Sequence, residues 1–188
     1  MEGIRGFDKN MCATLGKGVY QYATSGTYIE PECKARCNGF HFVEYAPDCL
    51  GYYGLGKGNR YFLINAGGDI NEEQGQVCSF TEMTLLKELN MEQFVIKTME
   101  YMVRNPRMDW ERNITMCQIA RDRATAEQKG AIAIARGVHP KVTAVKGSYL
   151  GLVRENERGM IVYAMPVKAE KDGIYTINEK NELEVVDK

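Results

Sequence analysis

The alternation of apolar and polar positions divides the chain into three textures. From Met1 to Leu89, short apolar runs are bounded by glycine. Val19 to Tyr22 alternates and is followed by a Ser25-Gly26 turn, while Phe40 to Val43 and Arg60 to Ile64 read as strands. Met83 to Leu86 is a further short run, closed by Lys87-Glu88-Leu89, and Ala46 to Tyr53 reads as a short helix starting near Pro47. From Asn90 to Lys129 the period changes. Asn90 and Gln93 form a capping-box pattern, and Met91, Phe94, Val95, Met99, Met102 and Val103 recur at helical spacing. Asn105-Pro106 ends that helix, because the residue before proline is pushed out of the α region. A second helix is expected from Asp109 through Trp110, Ile114, Cys117 and Arg121, its apolar stripe serving as core.

From Gly130 to Lys188 the pattern turns to period two. Ala131 to Ala135, Val142 to Val145, Leu150 to Val153 and Met160 to Val167 read as strands separated by glycine or polar turns. Gly173 to Asn178 and Glu182 to Val186 read as a terminal hairpin. Such short segments predict a small antiparallel sheet or a few solenoid-like rungs.

Composition narrows the function classes. In 188 residues, 44% hydrophobic and 26% charged, 24 Lys+Arg oppose 25 Asp+Glu, so the formal net charge is −1. That balance argues against direct nucleic-acid binding through a basic surface. No apolar stretch approaches the roughly 20 residues of a spanning helix, so no membrane partner is expected. Met1 to Arg5 does not read as a signal peptide, and the six cysteines are therefore expected as free thiols in a reducing cytoplasm. Cys33, Cys37 and His41, with Cys49 beyond them, hold part of a zinc-ligand spacing, but a clean second pair is missing. With Pro31 to Asn38 as a short helix, Cys33 and Cys37 are one turn apart as core residues, and no structural metal is expected.

Candidate chemistry is sparse. His139, before Pro140, reads as a surface residue, whereas His41 lies in an apolar strand beside Gly39. Gly54-Leu55-Gly56-Lys57-Gly58 could turn backbone N–H groups toward an anion. However, no Ser or Thr follows the lysine and no helix follows the loop, so it reads as a plain connection. Glu72, Glu73, Glu82 and Glu88 read as solvated carboxylates.

Gly6-Phe7-Asp8, Tyr20-Gln21-Tyr22, Cys37 to Phe42, Pro47, Tyr52-Tyr53 and Leu85 to Leu89 resemble a family of small uncharacterised proteins common in phages, prophages and gut Gram-positive bacteria. The Gly130 to Gly147 segment and the ending from Asp172 to Val186 resemble that family's β-rich C-terminal part. The order of the strand at Gly39 to Phe42, the helix ending in Tyr52-Tyr53 and the strand at Tyr61 is similar to the ADP-ribosyltransferase fold. That similarity implies Arg5, Tyr52 and Tyr53 as NAD contacts, and Glu82 with His41 as catalytic candidates. A carboxylate there would stabilise the positive charge that builds on ribose as nicotinamide leaves. The Ser-Thr-Ser and Glu-x-Glu segments of that family are absent.

The resulting expectation is an α+β chain. Residues 1–89 form an ADP-ribosyltransferase-like α+β region, 90–129 a helical segment, and 130–188 a small antiparallel β region. The resemblance implies a phage or mobile-element accessory protein in the host bacterial cytoplasm, binding a host or phage protein complex, for example as an anti-CRISPR-type counter-defence inhibitor. Tyr45, Tyr52, Tyr53, Lys57 and Arg60 would form its binding surface. The alternatives are an NAD-dependent ADP-ribosyltransferase and a structural virion component.

Overall fold

The computed structural model describes residues 1–13, 18–33, 39–72 and 77–187. The chain forms two compact units, Met1–Asn90 and Met91–Lys188. Strands hold 53% of the described residues and helices 12%, so the chain is mostly β, which corrects the α+β expectation.

In the first unit the strands are β1 (Glu2–Phe7), β2 (Cys12–Ala13), β3 (Tyr20–Gln21), β4 (Gly26–Ile29), β5 (Phe40–Val43), β6 (Arg60–Glu72) and β7 (Val77–Leu89). A 3-10 helix, Ala46–Gly51, follows β5 with Pro47 in its first turn, where proline's fixed φ fits and its missing N–H costs nothing. β1 pairs antiparallel with β6, β6 with β7, β7 with β5, and β5 returns to β1 through Ile4 and Val43. The four strands thus close into a ring. β4 extends β7 beyond β5.

Alternation decides what fills the ring. Phe7, Phe40, Phe42, Phe62, Ile64, Phe80 and Met83 share one buried core. Gly3 is on the same side of β1, and a Cβ there would overlap the Phe42 ring at 2.0 Å. The long β6–β7 hairpin bends where its register slips between Gly67 and Ile70. Gly68 takes φ 68° there, and the Asp69 N–H donates to Thr81 Oγ1 at 2.8 Å. An irregularity of this kind increases local strand twist and lets a hairpin curl.

The second unit begins with α1 (Met91–Arg104), directly after Asn90. Its buried face is Phe94, Val95, Thr98, Met99 and Met102. The remaining elements are β8 (Arg112–Ile114), β9 (Cys117–Ala126), β10 (Ile132–Ala144), β11 (Tyr149–Glu155), β12 (Ile161–Lys168), β13 (Gly173–Ile177) and β14 (Leu183–Val186). The expected second helix is therefore a correction. Trp110, Ile114, Cys117 and Arg121 mimic a helical stripe, but Cys117 and Ile119 are buried around a less buried Gln118, which is strand alternation. Met116, at φ 64°, turns the chain between β8 and β9.

The expected antiparallel C-terminal sheet is corrected as well. β9, β10 and β11 stack in parallel, with Ile132 over Cys117 and Tyr149 over Ile132. Only residues 127–131 join β9 to β10, far fewer than the dozen or so that straight parallel neighbours require. The strands instead bend. Asp122 takes φ 59°, and the β9–β10 register slips between Arg136 and Lys141, so each strand covers two sides of a coil. This is the rung-like alternative. Reversals finish the coil: β12 returns antiparallel to β11, and β13 runs antiparallel to the second half of β10.

The Ala-Ile alternation of β10 serves two cores. Ala133 and Ala135 face a narrow interior with Ala124, Ala126, Ala144, Leu150 and Leu152. Ile134 points the other way, and a Cβ on Gly151 would be 3.0 Å from both Ile134 and the Met99 sulfur of α1. Small residues thus set the width of the coil, while isoleucines fill the space beneath the helix.

Candidate binding site

Of the residues singled out in the first unit, Arg5 and His41 come together. Arg5 points into the ring, its guanidinium carbon 5.4, 5.6 and 5.9 Å from the centres of Phe7, Tyr22 and Phe40. Its Nη1 donates to the His41 carbonyl at 2.7 Å, and Nε is buried without a partner. The next residue, Gly6, faces the opposite side of β1, where a Cβ would strike Tyr53 and Cys49. Arg5 and Tyr53 therefore lie on opposite faces of one strand and do not frame a common NAD pocket.

His41 has its Nε2 buried and unpartnered. Burial first, then the neighbouring Arg5 charge, hold it below the ordinary histidine pKa. Ser79 stands opposite His41, whereas Glu82 is exposed on β7 opposite Ile29 and Gly67. No hydrogen bond joins the carboxylate to the imidazole, so acid and base are not assembled.

The expected docking surface is split between interior and solvent. Tyr45 is 2% exposed and Tyr53 is buried, its carbonyl accepting from the Tyr61 hydroxyl at 2.6 Å. Tyr52 and Lys57 are exposed. Arg60 is engaged with Glu88 through two bonds of 2.7 and 2.5 Å, and this contact holds the Glu88 carboxyl below its usual range. The Gly54 to Gly58 segment is a turn, with the Asn59 amide donating to the Gly54 carbonyl. Cys37 lies outside the described residues, and among those described no cluster of His, Cys, Asp or Glu suits a metal.

Two grooves lie elsewhere, on the outer face of the coil. One groove of about 490 Å³ is lined by Asp122, Arg123, Val138, His139 and Lys141. A second, of about 530 Å³, adjoins it and is lined by Arg123, Thr125, Lys141, Thr143, Ile174, Thr176 and Val186 among others. Register builds this face. Arg123, Lys141, Thr176 and Glu184 form one cross-strand row, and Thr125, Thr143, Ile174 and Val186 the next. Their strand neighbours Ala124, Val142 and Tyr175 point inward to the core. Sequence reasoning missed the site because its residues come from three segments that only the bent strands bring together. The available signal was the polar half of each alternation, Arg-Ala-Thr-Ala beside Lys-Val-Thr-Ala.

A second polar cluster in this unit is closed. Arg136 and Glu155 pair at 2.6 Å, and Trp110 lies against the guanidinium groups of Arg136 and Arg121 at 4.9 and 5.5 Å. Trp110, Arg136 and Glu155 are all buried, so the cluster ties the coil to the segment after α1 rather than offering a surface.

Residues 1–97 match a family model described as a domain of unknown function, DUF7666. No curated protein and no solved structure matches the chain.

Proposed function

The chain belongs to the DUF7666 family, a domain of unknown function, and we propose that it works by binding a macromolecule through the outer face of its C-terminal coil. The observation that carries this reading is the pair of adjoining grooves sharing Arg123 and Lys141. Separation of Glu82 from His41, and of Arg5 from Tyr53, favours binding over group transfer. The resemblance to phage and prophage proteins makes a host or phage protein complex the partner class, and inhibition of a host defence complex one use of such binding.

The test is affinity capture from infected and uninfected host cells, using the tagged chain and a Val186→Arg variant. Val186 is exposed at the groove margin, so the longer side chain obstructs the face without entering a core. A partner held by the parent chain and lost by the variant supports the proposal. A partner held equally by both refutes it.

A further inference from the structure

We propose that the grooved face takes an acidic protein segment, with its carboxylates seated between Arg123 and Lys141; this deepens the binding reading above and rests on it. The two cations stand directly opposite each other in the β9–β10 register. Like charges directly opposite each other are destabilising. Among the described residues neither Arg123 nor Lys141 forms an ion pair that would offset this.

Two acids border this face, Asp122 at the first groove and Glu184. The Asp122 carboxylate lies over Gly137, where a Cβ would be 1.9 Å from its Oδ1. Glu184 is beyond Thr176 in the same row and accepts from the Asn178 amide at 3.1 Å. Thr125 and Thr143 add hydroxyl groups to the groove floor, and Ile174 with Val186 adds an apolar margin. Two cations, hydroxyls and an apolar edge suit one or two carboxylates flanked by an apolar side chain.

Nucleic acid fits less well. Two phosphate contacts would give a salt slope of only about −2, too shallow for backbone tracking. Among the groove-lining residues, His139 is the only ring that could stack on a base.

The experiment titrates the 15N-labelled full chain with a ten-residue glutamate peptide carrying one central leucine, and separately with a ten-nucleotide single-stranded DNA. Arg123→Glu/Lys141→Glu and the milder Arg123→Gln/Lys141→Gln are run alongside, with circular dichroism to confirm folding. The proposal expects peptide-induced shifts at residues 123–125, 141–143 and 174–176, and affinity weakened about tenfold or more in either double variant. Equal or tighter DNA binding at the same amides would overturn it in favour of a general polyanion site. Absence of peptide binding, or binding indifferent to both double variants, would also overturn it. Should Val186→Arg release a captured partner that Arg123→Glu/Lys141→Glu still retains, the acidic-segment inference fails while the binding face stands.

Discussion

Replacing Glu155 with alanine should unfold the second unit far more readily than any surface change. The carboxylate accepts from Arg136 Nε at 2.6 Å, with both side chains under 5% exposed, and approaches Arg121 at 3.5 Å. Arg136 has further support from the Pro106 carbonyl at 2.8 Å, but its Nη1 is already without a partner. Alanine at 155 leaves one guanidinium buried and unneutralised beside a second. Breaking a buried pair in this way costs about 3–5 kcal/mol. Domains are stable by only about 5–15 kcal/mol, so the midpoint should fall by well over 10 °C. The chain's one tryptophan, Trp110, sits in this cluster, so its fluorescence during urea unfolding reports on the unit concerned. The double change Arg136→Met/Glu155→Leu removes both charges and should recover most of the loss. A cost below about 1 kcal/mol for Glu155→Ala, or a double variant as unstable as the single one, would refute this reasoning.

Three further outcomes follow from the same structure. Burial pushes the Cys49 and Cys117 thiols up to about 12, so alkylation at pH 8 with peptide mapping should label half-exposed Cys12 and Cys33 first, and should reach 49 and 117 only on unfolding. His41 binds its proton less readily folded than unfolded, so its contribution to stability is complete above about pH 6.5 and is lost as pH falls through its lower folded pKa. Urea unfolding between pH 8 and 5 should therefore show a shallower pH slope for His41→Gln than for the parent, and identical slopes would contradict this. Finally, β12 pairs only with β11 among the described residues and carries no charge from Ile161 to Val167. The Ala169 N–H bond to the Ser148 carbonyl sets the alternation that turns position 166 outward, where proline has no N–H to offer. Pro166→Val should restore a donor to that free edge and promote self-association, which sedimentation velocity would detect as concentration-dependent oligomers.

Much of the local structure was legible in the residues. Gly-bounded apolar runs located β5 and the start of β6, and the cap at Asn90 with proline at 106 bracketed α1. Period two located β10 to β14. What could not be read was how the strands meet. Ring closure in the first unit depends on Ile4 reaching Val43, and on the bend at Gly68, neither of which alternation encodes. The coil depends on Asp122 adopting a left-handed backbone, an unusual conformation for a residue with a side chain. Twin tyrosines suggested an exposed pair, yet the turn after the 3-10 helix sends Tyr52 to solvent and Tyr53 against Gly6. The grooved face was invisible for the same reason, because it exists only after two bent strands and a returning hairpin align their polar positions.

The most direct measurement is amide-shift mapping of the labelled chain with a partner recovered by capture. The account predicts perturbations concentrated at residues 123–125, 138–143, 174–176 and 186, on the outer side of the coil. Perturbations centred instead on Tyr52 to Arg60, with that outer side unchanged, would contradict it.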